Sequence, residues 1–503
     1  MKKWITLFLL SIIWVQADAQ KVFYSEPDRN DVRQTNFDII GKIDGNILIY
    51  KSLRDQHAIT LYDMEMKEIE RVKLDFLPDR LINTEFLAYP DFCYMFYQYQ
   101  RRNIVYSMGA KINSMGKIVG EPVVMDTTSV NFWASNKMYN VITSEDKQYI
   151  ATFKISNRNE RLNIITVSLF DKDMQLVEKK VVPITMPERN DFLTDFIIDN
   201  DGNIAFGRAI RNQQSDNISK LFLMVKKRGI DLPIEQELAL NNQYLDEIKL
   251  KADNFNKKYL LTSFYSRTRN GHVDGLFSAV WDTPTDNIKA ITFLEFDEGL
   301  RADARGENSM KAAFNNYFIN NIIVRKDGGF LVTTESFYTT GRSAGFNRMD
   351  YLYGSPFMRA SDYYMFSPYS FSYPWWRWNN FNQVTRYHAQ NVAVFSFDNN
   401  AKVAWSNIIN KRQYDDETDA FIGYQMLNTG DQLHFLFNQQ EKRLSLLSSQ
   451  SISPTGELSR SPTLRNLDKG YDFMPRYGKQ VGSRQIIFPC MYRNFLCFAR
   501  LDL

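Results

Sequence analysis

The residues best suited to chemistry are few and scattered along the chain. The four histidines, His57, His272, His388 and His434, do not have the spacing of a metal site. The sequence contains no HExxH, CxxC, glycine-rich phosphate loop or G-x-S-x-G nucleophile elbow. We therefore expect no metal centre, no covalent nucleophile and no cofactor, and we predict that the protein is not an enzyme.

Carboxylates offer three further patterns. The Asp-rich segment 199–203 resembles the start of a calcium loop, but its glycine comes two positions too early and no Glu occupies the twelfth position. We interpret it as a hairpin turn. The acidic run Asp415, Asp416, Glu417 and Asp419 predicts a solvated connection, with a surface cation site as the alternative. Paired carboxylates that meet in a central channel can hydrolyse glycosides although they are distant in sequence, so a glycan-active protein stays open.

An insertion at residues 339–387 is the most unusual part of the chain. Residues 351–387 include 14 aromatic residues in 37, about 38% against 14% for the whole chain. Aromatic side chains and Arg are typical of protein-binding hot spots. The alternatives are a structural lid over one mouth of the fold and a site where aromatic faces stack on sugar rings. The predicted partner-binding residues are Tyr363, Tyr364, Phe366, Tyr369, Phe371, Tyr373, Trp375, Trp376, Arg377 and Trp378.

The elements that position these residues are short alternating strands separated by two recurrent kinds of turn. Gly and Asp turns such as those at 43–46, 199–203 and 326–329 follow one strand, and turns such as 112–116, 169–173 and 452–456 follow another. Together they define units of four strands. The predicted first strands lie near Phe37, Glu85, Tyr139, Phe192, Asp246, Phe318, Phe421 and Phe473.

Units of about fifty residues repeated in this way predict an all-β fold with a single β-propeller. The count is eight blades, or seven if the weak unit near Asp246 is a loop. The last unit has room for only three strands, so we predict that residues 21–24 supply its fourth strand and close the ring. The alternative is two β-sandwiches in tandem. A short helix is predicted at 309–317, across a connection between two blades.

Cys490 and Cys497 are the notable cysteine pair. If Arg493 and Asn494 form a two-residue hairpin loop, the two cysteines face each other on a hydrogen-bonded rung, at a separation that suits a disulfide. Two reduced cysteines packed as small apolar residues are the alternative. Cys93 has no evident partner and is predicted to be a buried thiol.

The N-terminus predicts export. Lys2 and Lys3 precede an apolar run, and the small residues Ala17 and Ala19 precede Gln20, which is the three-part pattern of a signal peptide at 1–19. We expect residues 20–503 to form the mature propeller, with an uncleaved N-terminal anchor as the alternative. The net charge of +3 becomes +2 when Lys2, Lys3 and Asp18 are removed, a balance that argues against nucleic-acid binding.

The signal ending at 17–20 and the turn at 395–400 (FSFDNN), one of several of its kind, resemble those of exported β-propeller proteins of Bacteroidota. Some members of that group are accessories of the outer-membrane (type 9) secretion machinery. This resemblance implies a place in the periplasm or on the periplasmic face of the outer membrane, with the extracellular space as the alternative. Because the chain ends on a predicted propeller strand without an added sorting domain, we expect periplasmic residence.

The expected function is that of a non-catalytic exported scaffold that docks on another cell-envelope protein through the aromatic insertion. Contact with the membrane is expected only through that partner. The alternative is a carbohydrate-binding protein or glycan-active enzyme that uses the central channel.

Overall fold

The structure is an all-β arrangement in which antiparallel sheets follow one another along the chain. It is a computed structural model that describes residues 21–29, 32, 35–131, 133–134, 137–159, 161–186, 191–211, 217–341, 385–416, 418–441, 444–460 and 470–503. The predicted signal peptide at 1–19 lies outside these residues. Within them the strands form eight units, sheets 1 to 8 in chain order, a succession typical of β-propeller-like folds.

Each of the first three sheets is a meander whose strands pair in chain order. The first strand of the structure, β1 Lys21–Tyr24, precedes them and pairs elsewhere. Sheet 1 contains β2 Thr35–Ile43, β3 Asn46–Leu53, β4 Gln56–Tyr62 and β5 Glu68–Lys73. Sheet 2 contains β6 Asn83–Ala88, β7 Phe92–Arg101, β8 Ile104–Asn113 and β9 Val123–Ser129. Sheet 3 contains β10 Asn140–Thr143, β11 Tyr149–Asn159, β12 Leu162–Asp171 and β13 Leu176–Thr185.

The next two sheets are joined through a two-residue strand, β18 Tyr244–Leu245, which pairs with a strand of each. Sheet 4 contains β14 Asp191–Ile198, β15 Ile204–Arg211, β16 Ile218–Lys226 and β17 Ile234–Glu237. Sheet 5 contains β18 and β19 Lys249–Asp253 in its first position, followed by β20 Lys258–Ser266, β21 Gly275–Asp282 and β22 Asn287–Glu295.

The last three sheets contain the additions to the basic unit. Sheet 6 contains β23 Tyr317–Val324, β24 Phe330–Gly341, β25 Thr385–Phe397 and β26 Val403–Ile409, with β27 Gln413–Asp415 also paired to β25. Sheet 7 contains β28 Gln425–Asn428, β29 Leu433–Glu441, β30 Leu444–Ile452 and β31 Leu458–Arg460. Sheet 8 contains β32 Tyr471–Phe473, a 3₁₀ turn at Pro475–Tyr477, β33 Lys479–Gly482, β34 Gln485–Tyr492 and β35 Phe495–Asp502.

The predicted succession of four-stranded units is confirmed, with small shifts at three starts. Tyr139 directly precedes β10, and Phe421 lies four residues before β28. Asp246 lies in a break between β18 and β19, both of which pair with β20. This break explains why the fifth unit is the weakest in the sequence.

The predicted helix at 309–317 is wrong. The helix of this connection is α1 Glu298–Ala304, whose N-cap Asp297 accepts a hydrogen bond from the Leu300 backbone N–H at 2.8 Å. Residues 309–317 form successive turns instead, and Phe314 in them is fully buried. The helical spacing of the apolar residues therefore reflected packing against sheets 5 and 6 rather than a helix.

Each sheet buries apolar side chains on both faces. In β12 the neighbours Leu169 and Phe170 illustrate this alternation: Leu169 packs with sheet 4, whereas Phe170 packs with sheet 2. Similar clusters lie between the other consecutive sheets. Burying a side chain of this size contributes about 1.5–3 kcal/mol to folding, so every sheet depends on its neighbours.

The last sheet also packs on the first. Ile487, Leu496 and Phe498 of sheet 8 form one cluster with Ile39 and Ile49 of sheet 1. At the same place β1 is hydrogen bonded to β35, with Val22 opposite Leu501 and Tyr24 opposite Ala499. The predicted pairing of the N-terminal strand with the C-terminal strand is therefore confirmed.

One turn recurs between the third and fourth strands of five sheets. The side chain of its first residue accepts a hydrogen bond from the backbone N–H of the residue four positions on, and its fourth residue has a left-handed backbone. That fourth residue reaches the preceding sheet. A Cβ on Gly456, for example, would lie 2.7 Å from the ring of Trp405 in sheet 6. The five turns begin at Asp63, Asn113, Asp171, Asp398 and Ser453.

The turns between first and second strands are linked from sheet to sheet. The Asp44 N–H donates to the Pro90 carbonyl at 2.8 Å, and the Asn200 N–H donates to Asn254 Oδ1 at 2.8 Å. Asn256 Nδ2 donates to the Arg325 carbonyl at 3.3 Å. These turns therefore share one end of the sheets, and connections between second and third strands lie at the opposite end.

Candidate functional site

The base of the insertion is a regular extension of sheet 6. Strands β24 and β25 stay paired to the last described residues, with Thr339 opposite Tyr387 and Gly341 opposite Thr385. Because it joins a second to a third strand, the insertion leaves the fold at the end opposite to the linked first turns. Residues 342–384 lie outside the described residues, and they include all ten predicted partner-binding residues, from Tyr363 to Trp378.

Polar and aromatic contacts brace this base. Arg386 on β25 donates two hydrogen bonds to the Asp416 carboxylate, at 2.6 and 3.0 Å, and lies 4.6 Å from the Tyr414 ring centre. Thr340 Oγ1 on β24 lies 3.0 Å from His388 Nε2 on β25. The hydrogen bond from Arg386 lowers the pKa of Asp416. Asp416 of the acidic run therefore pairs with arginine, which the sequence alone did not indicate.

A buried ion network surrounds Glu335 of β24, further from the insertion. Lys411 Nζ lies 2.7 Å from Glu335 Oε1, and Arg476 bridges Glu335 and Asp419 at 3.3 and 3.2 Å. Burial lowers the pKa of Lys411, and Glu335 opposes that shift. Because the four residues come from sheet 6, sheet 8 and the connection to sheet 7, the network joins three units of the fold.

The four histidines lie in different parts of the fold. His57 lies in sheet 1, His388 in sheet 6 and His434 in sheet 7, while His272 lies between β20 and β21. His57 Nδ1 is 2.7 Å from the Tyr50 hydroxyl. Among the described residues no group of three or more His, Cys, Asp or Glu side chains is arranged to hold a metal ion.

Two buried carboxylates, Asp195 and Asp38, lie on first strands. Asp195 lies in a β-bulge of β14 with φ of 53°, and its side chain accepts a hydrogen bond from the Leu250 N–H of the next sheet. Burial raises its pKa, and Lys249 opposes that shift. In β2, burial raises the pKa of Asp38, against the effect of Lys479 and with that of Glu85. Cleavage of a glycan would require a carboxyl group with a raised pKa to act as general acid.

A cavity of about 330 Å³ lies where the first strands of sheets 3, 4 and 5 meet, at the end of the linked turns. Ile142, Phe196 and Ile197 supply apolar wall, and Lys147 and Lys251 supply charge. Neither lysine was predicted as a site residue from the sequence. The available signal was the alternation in β19, where Lys249 and Lys251 share one face and Leu250 and Ala252 share the other.

Cys490 and Cys497 face each other across the β34–β35 hairpin, as predicted. Arg493 and Asn494 form its two-residue loop, both with positive φ. The two sulfur atoms are 2.9 Å apart, fully buried and present as free thiols, so the disulfide itself remains a prediction. Cys93 is also a buried free thiol.

Within the part of the chain that the structure describes, none of the helices has the length and apolar character needed to cross a bilayer. No protein-family model matches the sequence, and no curated protein matches it either.

Solved structures do show similarity to the backbone. Prolyl oligopeptidase B from Galerina marginata, bound to a 35mer substrate, is 9% identical with a TM-score of 0.40. The similarity covers 92% of this chain and 56% of that one, so the chain spans little more than half of that peptidase. An ulvan lyase of polysaccharide lyase family 25 is 11% identical over 82% of this chain and 90% of that chain, with a TM-score of 0.36.

The apocarotenoid oxygenase of Synechocystis is 9% identical over 78% of this chain and 76% of its own, with a TM-score of 0.35. These proteins have three different activities, and identities of 9–11% are too low to assign any of their reactions to this chain. With TM-scores of 0.35–0.40 these similarities carry no argument about this chain, and its all-β fold rests on its own strand pairing.

Proposed function

We propose that the mature chain is a single closed propeller of eight blades that serves as a non-catalytic exported scaffold and docks on a cell-envelope protein through its aromatic insertion. Ring closure is supported by the packing of sheet 8 on sheet 1 and by the pairing of β1 with β35. The proposed location is the periplasm or the periplasmic face of the outer membrane, as in the Bacteroidota propellers that the sequence resembles.

The observation that carries the docking role is the braced hairpin base beneath the insertion. Paired strands and the Arg386–Asp416 ion pair hold the two ends of the segment side by side. A recognition segment whose ends are already ordered loses less conformational entropy on binding than a free linker. Tyr, Trp and Arg, which are abundant in this segment, dominate the energetics of protein interfaces.

The test is affinity capture of envelope proteins with the mature chain as bait. One variant changes Trp375, Trp376 and Trp378 to Ala, and the control changes Phe255 to Ala, which is 75% exposed in the first turn of sheet 5 at the opposite end. We expect the triple variant to lose at least one partner that the wild type and the Phe255 control both retain. An identical set of captured proteins in all three samples would contradict the docking role.

The alternative function is binding or cleavage of a glycan in the central channel. The carboxylates Asp38 and Asp195 on first strands favour it, because their raised pKa is the property of a general acid. Binding to a panel of soluble polysaccharides distinguishes the two functions. Glycan binding or cleavage that disappears in Asp38→Asn and Asp195→Asn would favour the alternative over the scaffold.

A further inference from the structure

The cavity between sheets 3, 4 and 5 has the size and lining of a small-molecule site. Its volume of about 330 Å³ lies at the lower end of the range for ligand pockets, about 300–1,000 Å³. Three apolar side chains, Ile142, Phe196 and Ile197, form part of its wall. Lys147 reaches it from the first turn of sheet 3, and Lys251 reaches it from β19 of sheet 5.

Among the described residues, the two lysines of this cavity lack the carboxylate partners that buried lysines of the fold have. The buried lysines of the described fold lie against a carboxylate, as Lys51 does with Asp28 and Lys411 with Glu335, both at 2.7 Å, whereas Lys147 and Lys251 are half-buried. Within the described ranges, no carboxylate is within ion-pair distance of Lys147 or Lys251. Lys147 Nζ instead donates to the Ala88 carbonyl at 2.6 Å.

Glu145 is the one carboxylate among the described residues that line the cavity, and its hydrogen bond is to an asparagine. Glu145 Oε2 accepts a hydrogen bond from Asn254 Nδ2 at 2.9 Å, and Glu145 is exposed at the rim. Burial first and the Lys479 ammonium second lower the pKa of Lys147. Positive charge that is partly desolvated and unpaired is costly, and an anion would relieve that cost.

We propose that this cavity binds a small organic anion, with its carboxylate or phosphate group between Lys147 and Lys251 and its apolar part against Ile142, Phe196 and Ile197. The site lies at the end of the sheets opposite to the insertion. It is therefore independent of the proposed docking role, and either can fail without the other.

The test is isothermal titration of the mature chain at low salt with three probes of similar shape. Benzoate and phenyl phosphate carry the two candidate anionic groups, and benzamide is a neutral analogue of benzoate. We expect at least one anion to bind at least tenfold more tightly than benzamide, with an affinity that falls as NaCl is added. Whichever anion binds more tightly identifies the group that the cavity accepts.

Lys251→Met removes one charge and keeps the length of the side chain, and Lys251→Arg keeps the charge. We expect the first variant to lose at least tenfold in anion affinity and the second to retain most of it. Lys289→Met, an exposed lysine on β22 of the same sheet, is the matched control and should bind as the wild type does.

Thermal unfolding in the absence of ligand checks that Lys251→Met is folded, and we expect no loss of melting temperature because the removed charge has no described partner. Three results overturn the site: no binding of either anion by the wild type, equal binding of benzamide, or unchanged anion binding by a folded Lys251→Met variant.

Discussion

At the scale of single residues, buried ion pairs connect neighbouring parts of the fold. Asp28 is the clearest case, because its carboxylate accepts from Lys51 Nζ at 2.7 Å and from Arg71 Nη2 at 2.6 Å. The Asp28 N–H donates in turn to the Leu496 carbonyl of sheet 8. One aspartate thereby connects the N-terminal segment to the first and last sheets.

Asp28→Ala should lower the free energy of unfolding by about 3–5 kcal/mol, because it leaves the ammonium of Lys51 buried without its carboxylate. Urea denaturation followed by tryptophan fluorescence measures this change. Glu65→Ala is the control, since its pair with Lys67 is largely exposed and should contribute little. Equal effects of the two substitutions would contradict the role given to Asp28.

Asp38 predicts a pH dependence of stability. Its pKa is raised in the folded chain, chiefly by burial. The protonated carboxyl therefore favours the folded chain, and this contribution to stability is fully present below the ordinary pKa near 3.8. This contribution is lost as pH rises through the folded pKa, because Asp38 ionises at a lower pH in the unfolded chain than in the folded chain.

Asp38→Asn should therefore be more stable than the wild type at pH 8 and nearly equal to it at pH 3.5. The check is the free energy of unfolding from urea titrations at a series of pH values. A difference between the two proteins that is constant over this range would show that Asp38 does not titrate as described.

The cysteine pair makes a prediction about reactivity. All three cysteines are fully buried, and burial raises the pKa of Cys93 to about 12 and that of Cys490 well above its ordinary value. We expect no reaction of the folded protein with iodoacetamide. Alkylation after unfolding without reductant should then add one group if the predicted disulfide is present and three if both thiols are free, as mass spectrometry can determine.

At the scale of elements, a short turn places one side chain or glycine of five sheets against a neighbouring sheet. In sheet 3 the Asp171 carboxylate accepts from the N–H groups of Asp173 and Gln175, at 2.9 and 2.8 Å. This holds Met174 at φ of 61° and directs its side chain against Gly109 of sheet 2. The turn therefore links local backbone chemistry to packing between sheets.

Asp171→Ala should destabilise the fold by about 1–2 kcal/mol, because two turn N–H groups lose their acceptor. Asp171→Asn should be nearly neutral, since Asn113 performs the same role in sheet 2. The neighbouring Asp173→Ala is the control for loss of charge alone. Thermal melts of the three variants test this account, which fails if Asn is as damaging as Ala.

At the scale of the whole molecule, the ends of the chain complete one sheet together. Strand β1 covers the edge of β35, and Tyr24 stacks on Tyr471 with ring centres 4.3 Å apart. Without β1 the backbone groups of β35 would form an open edge beside an apolar surface, a combination that favours aggregation.

Removal of residues 20–24 should therefore lower the melting temperature and produce oligomers on size-exclusion chromatography. Replacing Lys21–Tyr24 by Thr-Val-Thr-Tyr is the control, because it retains the backbone pairing, the side chain of Val22 and the Tyr24 ring. A truncated chain that stays monomeric and melts as the wild type does would remove the support for ring closure.

Much of this organisation is local and was predictable from sequence. Strand alternation, the Gly and Asp turns and the two-residue loop at Arg493 and Asn494 depend on backbone preferences of neighbouring residues, and the structure has them where the pattern placed them. The shortage of strands in the last unit likewise indicated that residues 21–24 would supply another.

Contacts between side chains of distant residues could not be predicted, because no local preference records them. The pairing of Lys411 with Glu335, the position of Lys147 and Lys251 in one cavity, and the bulge that turns Asp195 toward Leu250 depend on which sheets become neighbours. The helical spacing at 309–317 misled for the same reason, since its apolar residues are placed by the sheets around them. The sequence by itself determined the repeating unit, because strands and turns form over a few residues. Only the tertiary structure decided which charges are paired and which are left facing a cavity, because electrostatic pairing depends on distances set by packing.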